Sequence, residues 1–154
     1  MDIECARLAY VPFKRMPAGH MFIIFRFKSG EEIAISPEAD LKLGMSFSLI
    51  RGLRKTYPLR YLVQRPSLFL ERYRIEGRKV REYPLDLSDQ QLRELYQRIL
   101  IRTKMLEKQT EWYHTLFNSC ITNMIRHIDE VKTKKRTWLS YALLIFVPIH
   151  VSKL

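Results

Sequence analysis

The sequence predicts an α+β domain, a small antiparallel sheet packed against two helices. Two observations lead there. Segments rich in β-branched and aromatic residues fill the front of the chain, and helical spacing dominates after residue 88. The two kinds do not alternate as a parallel βαβ sheet would require. The 154 residues suffice for a single domain with a sizeable core, and 47% hydrophobic with 12% aromatic residues excludes a disordered chain.

The elements follow in order. "CARLAYVPF" and "HMFIIFRF" read as strands, "KSG" as a turn and "EEIAIS" as a third strand. Residues 44–64, with Pro58 inside and Pro66 just beyond, give no firm element. "SLFLERYRIEG" and "RKVREYPL" read as a second hairpin turning at Glu76–Gly77. "LSDQQLRELYQRILIRTKMLEKQ" is a helix with Ser88 as N-cap and Gln91 three residues on, a capping box. Its apolar stripe is Leu92, Leu95, Tyr96, Ile99, Leu100, Thr103 and Leu106. A last helix starts near Asn118 and buries Ile121, Ile125 and Ile128. Beyond it, "WLSYALLIFVPIHV" (138–151) has fourteen residues with Pro148 and His150 inside, against about 20 for a bilayer span. It reads as a buried strand or core segment in preference to a membrane-surface segment or a truncated span.

Lysine and arginine total 27 against 16 acids, a net charge of +11. That excess calls for an acidic partner: phospholipid head groups, nucleic acid or another acidic polymer. Recognition-helix, aromatic-platform and zinc signatures are missing, which ranks nucleic acid low. Cys5 and Cys120 make neither a disulfide framework nor a CxxC metal pair, and no cofactor or metal is expected. "MDIECARLAY" lacks the basic and apolar regions of a signal peptide.

A free cysteine is ordinarily a small core residue, and Cys120 needs a base to be more. With Asn118 as N-cap, Ser119 and Cys120 would be the first helical positions, where free N–H groups and the positive helix end favour a thiolate. The same N–H groups are candidate oxyanion donors. His127 lies seven residues on, about 10.5 Å along a helix, and reads as helix surface. His114 reads as loop and His150 as core, which leaves His20. A three-residue "KSG" loop with left-handed Gly30 makes paired residue numbers sum to 58. Ile23 then meets Ile35, Phe25 meets Ile33 and Arg26 meets Glu32, an opposite-charge pair. In that register His20 stands opposite Glu38, the pairing of a base with its orienting carboxylate. Pro37 is the one residue that threatens the pairing.

"AGHMFIIFRFKSGEEIAISPEAD", "VREYPLDLS" and "EWYHTLFNSCITNMIRHI" resemble the Lnb N-terminal periplasmic domain family over roughly residues 7–150. The family shows a histidine opening a strand, a second strand ending in serine and glutamate, a "YPL-x-LS" segment and an Asn-x-Cys-x-Thr turn. It is similar to circularly permuted papain-like proteins. The resemblance implies that fold, with His20 as base, Glu38 as orienter and Cys120 as nucleophile at a helix N-terminus, supported by Asn118 and Ser119. It implies acyl transfer through a cysteine thioester on a lipid or lipoprotein substrate, in the periplasm or at a membrane. Ser119 departs from the asparagine usual before the cysteine. Family members are also usually longer, so 1–154 reads as an isolated or truncated domain. A cysteine peptidase or amidase acting on cell-wall peptides is the alternative in the same chemical class. A non-catalytic, basic, membrane-peripheral module is the alternative outside it.

Overall fold

A computed structural model describes residues 2–14, 18–137 and 139–140. Five strands form one antiparallel sheet: β1 (Ile3–Pro12), β2 (Gly19–Phe27), β3 (Glu32–Ala39), β4 (Leu59–Gln64) and β5 (Arg81–Pro84). Their spatial order is β4-β3-β2-β1-β5, which puts β2 at the centre. The helices are α1 (Leu49–Gly52), α2 (Pro66–Ile75), α3 (Asp89–Lys108) and α4 (Cys120–Val131).

The central position explains the near-continuous apolar run of β2, because both of its faces are covered. Met21, Ile23 and Phe25 join Leu8 and Ile35 on the face that packs under Leu95 and Ile99 of α3 and Ile121 and Ile125 of α4. Phe22 and Ile24 join Ala9, Val11 and Ala34 on the other face, beneath Phe69 and Tyr73 of α2. The sheet therefore carries three packed helices, where the sequence suggested two.

The third helix replaces the expected second hairpin. Pro66 opens α2 at its first position, where a missing N–H costs nothing. Phe69 and Tyr73 then fall four apart on the buried face. Gly77, at φ +62°, is a helix stop and not a hairpin tip. Its N–H reaches the Arg74 carbonyl and that of Arg78 reaches the Tyr73 carbonyl, a Schellman closure. The strand that follows, β5, pairs with β1.

The hairpin between β2 and β3 has the expected register, with Ile23 beside Ile35, Phe25 beside Ile33 and Arg26 beside Glu32. Gly30 takes the left-handed turn position at φ +87°. The side chains of the charged pair diverge: Arg26 meets Glu4 at 3.2 Å, and Glu32 meets Arg7 at 3.0 Å, because β1 offers both a nearer partner. Helix α3 has the Ser88–Gln91 capping box and buries Leu92, Leu95, Tyr96 and Ile99. Both cysteines are free thiols. The apolar run 138–151, with His150, lies outside the described residues except for Leu139 and Ser140.

His127 is a correction. It is buried, with Nε2 3.0 Å from the Tyr61 hydroxyl, which donates to Asn123 Oδ1 at 3.0 Å. Its Nδ1 has no partner among the described residues. Helix α4 is buried nearly all round because it is sandwiched between the sheet and α3, so position i+7 from Cys120 is not surface. Burial, and then the charges of Arg102, Arg126 and Arg98, hold the imidazole neutral with a pKa lowered to about 4. An unfolded histidine titrates near 6.5. The unfolded chain thus binds the extra proton between about pH 6.5 and pH 4, and the native state loses stability as pH falls through that window. Comparing urea unfolding of wild type and His127→Gln across it should show wild type losing up to about 1.4 kcal/mol per pH unit relative to the variant. Parallel curves would mean that His127 is not buried neutral.

Candidate active site

The site begins with the proline that ends a ladder. Phe27 N–H donates to the Glu31 carbonyl at 2.9 Å, so the odd residues of β2 occupy the hydrogen-bonded pairs of the hairpin. Pairing continues to Ile23 and Ile35. The next such pair would be Met21 with Pro37, and proline has no N–H to give. The β2–β3 ladder stops there, while β3 stays paired with β4 through Pro37–Tyr61 and Glu38–Arg60. That leaves the Met21 carbonyl without its donor, while the Met21 N–H helps to lower the Cys120 thiol.

Parity of the pleat then gathers the polar groups. Phe22 and Ile24 belong to the face under α2, and so do the side chains two residues apart at His20, Ser36 and Glu38. His20 Nε2 lies 2.7 Å from Ser36 Oγ and 3.2 Å from Glu38 Oε1. Ser36 donates its hydroxyl proton to Glu38 Oε1 at 2.8 Å, so it accepts from the Nε2–H of His20. That fixes the tautomer and leaves Nδ1 as the free ring nitrogen, and the charge of Cys120 is the largest influence raising the ring's pKa. The sequence-derived pairing of His20 with Glu38 is thus present, and Cys120 meets the same ring.

Cys120 is the first residue of α4, but the cap is Ser119 and not Asn118. Ser119 Oγ accepts from Thr122 N–H at 3.3 Å, and Thr122 Oγ1 accepts from Ser119 N–H at 2.7 Å. This reciprocal box outcompetes a cap by Asn118. The Asn118 side chain instead donates to the Trp112 carbonyl and accepts from Asn123 Nδ2, both at 2.9 Å. Neither expected support residue has a free side chain in the cleft; both hold the helix start in place. His114 closes the preceding turn, with Nδ1 accepting from the N–H groups of Leu116 and Phe117.

The electrostatics are those of a coupled buried cluster. Burial pushes the Cys120 thiol up, but His20 and the Met21 N–H outweigh it and bring the thiol below its ordinary value. Burial likewise opposes a charged His20, and the charges of Cys120 and Glu38 overcome it, holding the ring well above 6.5. Glu38 is lowered despite burial by the His20 charge and by hydrogen bonds from His20 and Ser36. A thiolate–imidazolium pair backed by a carboxylate is what these directions describe.

Two participants escaped the sequence reading. Ser36 had a signal: it lies on the same strand face as Glu38, one pair from His20 in the 58 register. Tyr113 had none, since it sits in an aperiodic loop. Its buried phenol lines the same cleft beside Cys120. Burial, then the Cys120 charge, keeps the phenol protonated. Thiol, imidazole and carboxylate all line one cleft of about 330 Å³, whose walls are mainly apolar: Phe13, Leu41, Phe47, Leu49 and Leu116 among them. That volume is at the lower end for small-molecule sites. Among the described residues no cluster of histidine, cysteine and acid is fit to hold a metal.

The model of the Lnb N-terminal periplasmic domain family matches residues 2–153. The chain belongs to the Lnb N-terminal periplasmic domain family. The match covers the whole strand-to-helix arrangement and extends the resemblance seen in the sequence at both ends. Neither a curated protein nor a solved structure matches the chain. In this Lnb-type domain no helix among the described residues is long and apolar enough to cross a membrane.

The cluster makes a direct prediction. Iodoacetamide should alkylate Cys120 well below pH 8.5, the usual midpoint of a free thiol, while Cys5 serves as the internal comparison. His20→Ala should move the Cys120 profile upward, because burial is then opposed by the Met21 N–H without the imidazolium. Indistinguishable profiles for the two cysteines in the wild-type protein would contradict the ion pair.

Proposed function

We propose that this domain is a cysteine-dependent acyltransferase on a permuted papain-like arrangement, working through a thioester on Cys120. The observation that carries the reading is the His20 imidazole held between the Cys120 thiol and the Ser36–Glu38 pair at the wall of an apolar cleft.

The chemistry follows from the groups present. His20 Nδ1 takes the thiol proton, and the sulfur attacks an ester carbonyl carbon. The oxyanion receives the Cys120 N–H and the Tyr113 hydroxyl, which lie at the same cleft. The carbon–oxygen bond breaks, the departing alkoxide takes the proton from His20, and a thioester remains. An amine then attacks the thioester, His20 receives its proton, the carbon–sulfur bond breaks and an amide forms. The thiolate and imidazolium are regenerated. Glu38 acts through Ser36 and directly on Nε2, holding the ring and stabilising its charge.

The apolar cleft favours a lipid or lipoprotein acyl group over a cell-wall peptide, whose many amides would be buried without partners. The family description supports action in the periplasm, and the net charge of +11 suits an anionic membrane face. Water in place of the amine would make the same site a hydrolase.

Intact-protein mass spectrometry after incubation with diacylated lipopeptide should show an added acyl mass on Cys120. It should vanish in Cys120→Ala and on treatment with neutral hydroxylamine. Initial acylation rates should fall roughly a hundredfold or more in His20→Ala. They should fall about tenfold to a hundredfold in Ser36→Ala, where the ring keeps Glu38 but loses its relay. No adduct with lipopeptide, together with turnover of a cell-wall peptide, would replace this reading with the amidase. No adduct with either, and a normally titrating Cys120, would leave a non-catalytic module.

A further inference from the structure

Residues 41–70 contain six lysines and arginines and no aspartate or glutamate, in a chain whose 16 acids are otherwise spread throughout. The first half of this stretch lies over the cleft. Lys42 to Met45 is a turn closed by the Met45 N–H on the Lys42 carbonyl at 3.0 Å, with Gly44 at φ +82°. A positive φ at the third position defines a type II turn and puts Leu43 at its tip. Leu43 is fully solvent-exposed at 106% of its reference area. Behind it, α1 presents Ile50 at 68% and Leu53 at 44% exposure, and both also line the cleft. Lys42, Arg51, Arg54 and Lys55 are exposed among these apolar side chains, and none is in an ion pair with a described residue. The segment is anchored from below. Thr115 donates its hydroxyl to the Leu49 carbonyl at 2.9 Å and its N–H to the Gly52 carbonyl at 3.1 Å. A Cβ on Gly52 would sit 2.3 Å from Thr115 Oγ1, so glycine is needed for that approach.

We propose that residues 41–55 are a membrane-docking surface that seats the mouth of the cleft on an anionic bilayer. Exposed leucine and isoleucine interleaved with unpaired cations is the chemistry of the interface between head groups and acyl chains. The acid-free stretch matches a negative surface and suits a lipid better than an acidic protein partner, against which three large aliphatic side chains would stay in water without a groove to receive them. The surface has a consequence for the proposed acyl transfer, on which this part of the inference rests. An acyl chain leaving the bilayer beside Ile50 and Leu53 passes directly into the cleft, with no crossing of water.

Sedimentation of the whole chain with vesicles separates the two ideas, because it needs no turnover. Wild type and Cys120→Ala should bind mixed phosphatidylglycerol–phosphatidylcholine vesicles equally and pure phosphatidylcholine far more weakly. Replacing Lys42, Arg51, Arg54 and Lys55 by glutamine should lower the partition coefficient about a hundredfold or more, at about fivefold per cation. The matched replacement of Lys28, Arg93, Lys104 and Lys108, exposed elsewhere, should lower it less than tenfold. Leu43→Glu has no packing to lose and should still reduce binding about tenfold. Equal losses in the two charge sets, no effect of Leu43→Glu, or no vesicle binding at all would each overturn the proposal. Vesicle binding without an acyl adduct would leave it standing and remove the acyltransferase reading.

Discussion

The arrangement of this domain depends on one absent hydrogen-bond donor. Pro37 stands where β3 should return a bond to Met21, and its missing N–H faces β2 alone. Had any other residue been there, the ladder would run on to His20 and Glu38 and the strand ends would be closed. Instead the strands separate after Ile23 and Ile35 on a sheet that remains continuous through β4. The start of α4 enters that opening, which is how a cysteine from one side of the sheet meets a histidine whose neighbours, Phe22 and Tyr73, belong to the other. The Met21 N–H beside that opening helps to lower the Cys120 thiol.

A buried cluster of this kind holds together only as a whole. Cys120, His20 and Glu38 each have their charged form opposed by burial; the imidazolium rescues both anions, and both anions rescue it. Removing one partner leaves an uncompensated buried charge, which costs more than the pair ever contributed. The start of α4 is held by a second polar set. Asn123 Nδ2 bonds the Ser119 carbonyl and Asn118 Oδ1, each at 2.9 Å, and its oxygen is held by Tyr61. Arg102 grips Glu111 in a fork–fork pair just before the loop of Tyr113. These contacts restrain the thiol without touching it, so the sulfur position is set by β4, α3 and α4 together.

What the sequence discloses of this site is what local rules determine. The turn "KSG" needs a left-handed residue and Gly30 supplies it, after which strand parity brings His20 to Glu38 with no tertiary information. The capping box of α3 is equally local. Helix α2 was hidden because "SLFLERYRI" mixes β-formers with a helical i, i+4 pair, and Pro66 reads as a breaker until it is seen at a first helical position. The cap of α4 was misassigned for a related reason: Asn118 and Ser119 are both good caps, and only the reciprocal bond from Thr122 decides between them. His127 was misjudged because solvent exposure on a helix depends on how many neighbours cover it. Tyr113 belongs to a loop whose course is set by contacts with α1 and Tyr57, none of which is readable from spacing.

The placement of Tyr113 bears on whether a thioester there meets an amine or water. Its buried phenol lies beside Cys120, kept protonated by burial and by the Cys120 charge. A substrate carbonyl at the sulfur would, on the proposed mechanism, meet that hydroxyl as a donor. On the proposed mechanism, water would reach the thioester through the apolar cleft, where it finds few hydrogen-bonding partners. An amine tethered to a lipid already seated beside Ile50 and Leu53 would arrive at high effective concentration. Transfer over hydrolysis would then be decided by the supply of nucleophile at the cleft mouth, with no need for a change in the groups around the sulfur.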